Sequence, residues 1–311
     1  MNEAFRLIEC PVCGGQSFKL VLETTPRDFL LEQRKQYYDL DALGIDINTK
    51  FHIRKCTACS FVFVNPRLRA DLYNVVYNRA KVGQYAMNDW AFEHGDLQRL
   101  HNMYYKWGSA LDFLGVVLYF RDRFRKAKND GQRAIRLLDY GCGMGHLLDI
   151  CKAFDVEGIG IDIDEFRIEQ CRRKGHLVYR PEDLPAHEKF DIVLSSSVVE
   201  HVDDVNAYFG YIAERMLPKA IFRFNGLTPG IIRLEARKKQ FREVMLLEHL
   251  NYFTPKSLSM MAAKHGLAKV GFINSVHAIE KPFQYLYPML KNLVFRGFYP
   301  SGVFKADLVK T

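Results

Sequence analysis

Residues 135 to 150 constrain the fold of this chain more tightly than any other stretch. Ile135-Arg136-Leu137-Leu138 is a short apolar run. Asp139-Tyr140-Gly141-Cys142-Gly143-Met144-Gly145 interrupts it with three glycines, and His146-Leu147-Leu148-Asp149-Ile150 resumes with helical spacing. A strand that passes through a glycine loop directly into a helix is the first βα unit of a doubly wound α/β sheet, whose ligand lies beyond the carboxyl ends of the strands. The glycine spacing narrows the ligand. A dinucleotide fingerprint needs glycine at 141, 143 and 146, but position 146 is His and the third glycine stands at 145. The loop is expected to lay its backbone against an uncharged or zwitterionic ligand, with Asp139 at the strand end placed to take an ammonium group.

The same rhythm continues downstream. Gly158-Ile159-Gly160-Ile161 reads as a second buried strand ending at Asp162, where a carboxylate can accept both hydroxyls of a ribose. His176 to Arg180 reads as a third strand leading to Glu182-Asp183-Leu184-Pro185. Phe190 to Leu194 reads as a fourth, ending in Ser195-Ser196-Ser197, and Ile221 to Asn225 as a fifth. Val198 to Asp204 is expected to begin a helix, and Pro255 to His265 to form one.

The chain opens with a different device. Cys10-Pro-Val-Cys13 is followed by Gly14-Gly15, and Cys56-Thr-Ala-Cys59 by Ser60. Two residues between thiolates let one tight turn aim both sulfurs at one ion, and two such turns complete the closed tetrahedral site of structural zinc. A segment this short holds little core of its own, so a metal staple is physically expected. A redox site would need only one pair. The residues between the pairs are expected to carry a helix from Asp28 to Tyr38 and a strand around Phe51 to Arg54. The chain has seven cysteines, and with no apolar signal segment in Met1 to Cys10 the odd count argues against a disulfide framework. Cys142 in the glycine loop is read as a small packing residue.

Asn65-Pro66 reads as a helix start, cap followed by proline. From there the pattern is helical and aromatic until Lys128-Asn129-Asp130-Gly131 ends it. The 23 Phe and 16 Tyr residues exclude a mainly disordered chain. The longest apolar stretch, Phe113 to Phe120, falls far short of the roughly 20 residues a membrane span needs, so the expected location is the cytoplasm. A net charge of +8 permits an anionic partner, although the basic residues are spread out; the densest group is Arg121 to Lys128.

Taken in order, Asp139 to Gly145, Gly160 to Asp162, Phe190 to Val193 and Glu200-His201 resemble the signature of class I S-adenosylmethionine-dependent methyltransferases. The resemblance covers about residues 133 to 275. It implies a Rossmann-like sheet with helices on both faces, preceded by a small zinc-ribbon-like module. It also implies S-adenosylmethionine as cofactor, held by Asp139, Gly141, Cys142, Gly143, Gly145, Asp162, Ile163, Glu182 and Ser195. The adenine-side acidic residue of such enzymes usually stands just before the Glu182-Asp183-Leu184-Pro185 turn. That place is Arg180-Pro181 here, so the contact is expected to pass to Glu182. The double C-x-x-C followed by Phe63-Val64-Asn65-Pro66-Arg67 resembles a subgroup with a zinc-binding segment ahead of this domain, whose members look like sugar or natural-product methyltransferases. Glu248-His249-Leu250-Asn251-Tyr252-Phe253-Thr254 resembles its H-x-x-F-[ST] element.

The expected organisation is a zinc-binding module at 1–65 and a helical bridge at 66–130. The S-adenosylmethionine-binding methyltransferase domain follows at 131–280, then an aromatic and basic extension at 281–311. The sugar C-methyltransferases of the resemblance carry a long further domain. Only about 35 residues follow the last recognisable strand here, which favours a hydroxyl or amine acceptor. The expected activity is methylation of a sugar or sugar-containing small molecule, free or linked to a nucleotide or lipid. A sugar hydroxyl is a poor nucleophile, so a base is needed; His201 and His249 are the candidates. The alternative acceptor is RNA, which a zinc ribbon and positive charge suit. Against it, Ser195-Ser196-Ser197-Val198 stands where a base methyltransferase would carry Asn/Asp-Pro-Pro-Tyr. Phe283 to Phe304 is expected to be a packed lid or a homodimer element.

Overall fold

The structure is a computed structural model that describes residues 3–29, 38–77, 134–153, 156–238, 244–270 and 303–311. In the N-terminal part, β1 (Phe5–Arg6), β2 (Phe18–Thr24), α1 (Pro26–Phe29), β3 (Phe51–Cys56), β4 (Val62–Val64) and β5 (Arg67–Leu68) precede α2 (Tyr73–Tyr77). The second part runs β6 (Ile135–Tyr140), α3 (His146–Ala153), β7 (Val156–Ile161), α4 (Glu165–Arg173), β8 (Leu177–Tyr179), β9 (Phe190–Ser195), α5 (Val205–Arg215) and β10 (Met216–Leu227). It continues with α6 (Pro229–Lys238), β11 (Asn251–Tyr252), α7 (Pro255–Lys264), β12 (Leu267–Val270) and β13 (Val303–Lys310).

The parallel strands lie in the order β8-β7-β6-β9-β10. The chain builds outward from β6 to β8, then returns to the other side of β6 for β9. The switch point therefore falls where β6 and β9 end, at Tyr140 and Ser195. All six residues of β9 are buried, as a strand covered on both faces requires. One buried cluster packs Phe209 and Ile212 of α5 and Met261 of α7 against Phe222 and Phe224 of β10. A separate cluster sets Leu148 of α3 and Ile168 and Cys171 of α4 against Val178 of β8.

Strands on either side of residue 65 share one sheet. β11 runs parallel to β10 and antiparallel to β4, and β3 and β2 follow outward. The cysteine turns pack into the main core: Cys10, Cys56, Cys59, Phe61 and Phe63 belong to the same buried cluster as α5 and α7. Phe61 lies 4.8 Å from Phe253, centroid to centroid. β13 pairs antiparallel with both β10 and β12. Residues 283 to 302 of the expected lid or dimer element, most of the bridge, the Arg121 to Lys128 group, and residues 30–37 of the expected Asp28 to Tyr38 helix lie outside the described residues. Among the described residues, no helix is long and apolar enough to cross a membrane.

Two expected helix starts are corrected. The Asn65–Pro66 peptide is cis and leads into strand β5, which pairs with β1. The Asn65 side chain does not cap a helix, because both ends of its amide are engaged by Ile8: the oxygen accepts from Ile8 N at 3.1 Å and the nitrogen donates to Ile8 O at 2.9 Å. Val198 to Asp204 is a turn, and the helix begins at Val205. Asp204 is its N-cap, accepting from Asn206 N and Ala207 N. The turn stays out of the helix because the carbonyls of Val199, Glu200, Val202 and Asp203 are taken by donors from distant segments, as detailed below.

Candidate active site

The glycine loop folds back over the end of β7. Gly141 N and Cys142 N both donate to Ile161 O, at 2.7 and 2.9 Å. This reversal needs positive φ at Gly141, Gly143 and Gly145. At Gly141 a side chain is excluded by protein, since a Cβ would stand 2.3 Å from Val198 Cγ2. At Gly143 a Cβ would meet nothing within 4 Å, so the crest of the loop faces open space. Cys142 is buried, its sulfur filling the space that a Cβ at Gly160 would enter.

Two carboxylates lie at the carboxyl ends of β6 and β7. Asp139 is buried, and no hydrogen bond or ion pair reaches its carboxyl from the described residues. Burial, with the negative charge of Asp162 behind it, pushes the Asp139 carboxyl up to about 8. A buried carboxyl held this way gains most from a cation beside it. Asp162 is differently placed. Its two oxygens accept one backbone N–H each, from Gly143 at 2.9 Å and from Asp164 at 3.0 Å. Each oxygen keeps a lone pair for a further donor, such as a pair of vicinal hydroxyls. Burial raises the Asp162 carboxyl above the usual range. An acid unpartnered among the described residues, an open glycine crest and a half-satisfied second acid thus fit an ammonium group, a compact ligand body and a ribose in that order.

The rim carries the remaining expected contacts. Ile163 is exposed beside Asp162 and presents an apolar face. Glu182 is exposed on the loop after β8. Ser195 is buried at the end of β9, its hydroxyl toward the Tyr208 phenol. The next two residues form a latch that sequence reading did not single out. Asn225 of β10 donates to Ser196 Oγ at 3.0 Å and accepts from Ser197 N at 2.6 Å. Ser197 sits at φ 55°, a left-handed conformation uncommon for serine. The available signal was one Asn near the carboxyl end of the strand, after Ile221-Phe222-Arg223-Phe224.

His201 and His249 stand together, ring centroids 4.7 Å apart and edge to face. The turn carrying His201 presses Val198 onto Gly141, so this turn lies against the glycine loop. Burial, then the neighbouring His249, pulls the His201 imidazole down to about 3. Glu248 lies next to the pair, and Tyr38 from the N-terminal part donates its hydroxyl to the Glu248 carboxylate.

In the N-terminal part the sulfurs of Cys10, Cys13, Cys56 and Cys59 lie within 4.8 Å of one another. Cys10 and Cys59 are 3.4 Å apart, and Cys13 and Cys56 3.6 Å. A tetrahedral four-sulfur site with metal–sulfur bonds of about 2.3 Å has sulfurs about 3.8 Å apart, so the four thiols fit one such ion. Gly14 N bonds Cys10 O and Ser60 N bonds Cys56 O, both residues at positive φ, closing the two matching turns.

A family model described as a methyltransferase domain matches residues 100–270. The chain therefore belongs to the methyltransferase-domain family, and its strand order and glycine loop are those of a class I S-adenosylmethionine-dependent methyltransferase. Among curated proteins it resembles the ubiquinone biosynthesis O-methyltransferase of Rhodopseudomonas palustris (strain HaA2), 39% identical over 95 residues, covering 28% of this chain and 38% of that protein. The protein of the same description from Paramagnetospirillum magneticum is 34% identical over 96 residues, covering 28% and 39%. The chain thus spans about two fifths of the length of the curated relatives it matches. A solved S-adenosylmethionine-dependent methyltransferase from Mesorhizobium loti aligns at 17% identity and a TM-score of 0.41, covering 57% of this chain and 91% of that one.

Proposed function

We propose that the protein transfers the methyl group of S-adenosylmethionine to a hydroxyl of a sugar or sugar-containing small molecule. The observation that carries the cofactor half is Asp139, a buried acid with no partner among the described residues, beside an open glycine crest. In this reading Asp139 takes the ammonium group of the cofactor and Asp162 both ribose hydroxyls. Ile163 covers one face of the adenine, Glu182 approaches its edge, and Ser195 closes the floor at the switch point. The bound cofactor supplies an already activated methyl group. The protein's remaining tasks are to align the acceptor, exclude water and remove one proton.

Oxygen as the acceptor atom is supported by the relatives named as O-methyltransferases. A sugar is supported by the resemblance of the cysteine-led N-terminus and of Glu248 to Thr254. We assign the base to His249. His201, held neutral with low basicity by its burial, packs against it and fixes its plane. The four cysteines hold one structural zinc, and the setting is the cytoplasm, where free thiols stay reduced. The test is incubation with methyl-labelled S-adenosylmethionine, a nucleotide-sugar pool and total RNA. Label in the sugar fraction is expected; label confined to RNA would replace the acceptor class.

A further inference from the structure

The turn that carries His201 closes on itself through His201 N, which donates to Val198 O at 2.8 Å, and is otherwise held from outside. The Asn251 side-chain amide donates to Val199 O at 3.1 Å and to Val202 O at 2.7 Å. Leu250 N donates to Glu200 O at 2.7 Å. Arg67 donates to Asp203 O at 2.6 Å. Four carbonyls flanking His201, two on each side, are therefore fixed by three residues distant in sequence. Arg67 also reaches behind this arrangement. It donates to Asn251 Oδ1 at 3.3 Å, which orients the amide so that its nitrogen faces the turn, and to Val64 O at 3.3 Å. Its guanidinium lies 3.5 Å from the Asp203 carboxylate, which Arg6 engages from the other side.

Arg67 is fully buried, with 0% of its side chain exposed. Removing a guanidinium from water is costly, and a buried charged group is often replaced by apolar side chains without loss of stability. Packing alone is therefore a weak reason for an arginine here. Its planar fork does what an apolar residue cannot: it addresses a turn carbonyl, the amide that holds two further turn carbonyls, and the strand that leads back to the cysteine module.

We infer that Arg67 is a positioning residue for methyl transfer, locking the turn that presents His201 to His249 and coupling the cysteine-led N-terminal part to the acceptor side of the site. The inference rests on the histidine pair lying at the acceptor. Asp139 and Asp162 are not among the groups Arg67 touches, so cofactor affinity is expected to be independent of it.

The test uses full-length Arg67→Met with histidine ring nitrogens labelled for NMR, and calorimetry with S-adenosylhomocysteine. In the parent protein His201, faced by His249, Glu248 and Arg167, stays neutral far below the ordinary histidine range. In Arg67→Met the released turn exposes the ring, and its titration should move up by at least about one pH unit toward the ordinary value near 6.5. S-adenosylhomocysteine affinity should stay within about twofold of the parent. Arg67→Lys, with charge but no fork, should fall between the two. If Arg67→Met does not yield folded protein, Asn251→Ala removes the two carbonyl bonds at Val199 and Val202 and is read in the same way. An unchanged His201 ring signal and titration in folded Arg67→Met, or in Asn251→Ala, overturns the inference. The histidine reading fails by a different result, full turnover in His249→Ala, which leaves the NMR outcome for Arg67 unaffected.

Discussion

Replacing Asp139 by Asn should make the protein more stable and unable to hold its cofactor. Asp139 is buried and has no partner among the described residues. Burial and Asp162 raise its carboxyl from an ordinary value of 3.8 to about 8. The sign follows from proton counting. Between those two values the unfolded chain has lost the proton and the folded chain keeps it, so stability falls as pH rises, by at most about 1.4 kcal/mol per pH unit. From 3.8 to pH 7 this sets a ceiling of about 4 kcal/mol on the cost of the buried acid. An Asn of the same shape carries no titration cost but leaves a buried amide to satisfy, at about 1–3 kcal/mol. The expected net gain at pH 7 is therefore about 1–3 kcal/mol, or a Tm higher by roughly 2–10 °C. The gain should grow from pH 6 to 8 and give way to a net loss of about 1–3 kcal/mol below pH 4, where only the cost of the buried amide remains. S-adenosylhomocysteine binding, followed by calorimetry, should weaken by at least about a hundredfold as the counterion of its ammonium group is lost. Scanning calorimetry across pH checks the first half. A variant less stable than the parent at every pH would refute the description of Asp139 as an uncompensated acid.

Three further outcomes follow from the same geometry. Asp162→Ala removes charge-assisted bonds worth about 1.5–3 kcal/mol and should weaken S-adenosylhomocysteine about 10- to 100-fold; unchanged affinity in calorimetry excludes the ribose contact. His249→Ala should lower turnover by about 10²–10⁴ with cofactor affinity intact, and His201→Ala by less; equal full activity in both variants would mean that alignment alone suffices. Metal analysis should find one zinc per chain, and Cys56→Ser should lower the Tm by roughly 10 °C or more. Because Cys56 shares a buried cluster with α5 and α7, that loss should reach the methyltransferase sheet as one transition; a zinc-free protein with an unchanged Tm contradicts it.

The parts legible in the sequence are those whose geometry is local. Gly141, Gly143 and Gly145 need only their own φ angles and the end of one strand, so the strand–loop–helix unit could be read residue by residue. The two C-x-x-C turns are equally local, and their meeting follows from the chemistry of four thiolates. The failures involve partners far away in the chain. Asn65-Pro66 looks like a helix cap until Ile8 occupies the Asn65 amide. Val198 to Asp204 looks like a first helical turn until Asn251, Leu250 and Arg67 take its carbonyls. The pairing of β4 with β11 joins Phe63 to Asn251, and that of β13 with β10 joins Val309 to Ile221. No periodicity within a short window encodes such neighbours. Asn225 was passed over because an amide at a strand end has many uses, and only the latch at Ser196 and Ser197 reveals this one.

The most direct test of the account is identification of the methylated product. Purified protein, S-adenosylmethionine carrying a heavy methyl group and a nucleotide-sugar pool should yield a sugar whose mass rises by that one methyl group less the hydrogen it replaces. Fragmentation should place it on the oxygen of a former sugar hydroxyl, and Asp139→Asn should abolish the product. A heavy methyl group on carbon or nitrogen, or on no sugar in the pool while total RNA supplied in parallel is labelled, would contradict it.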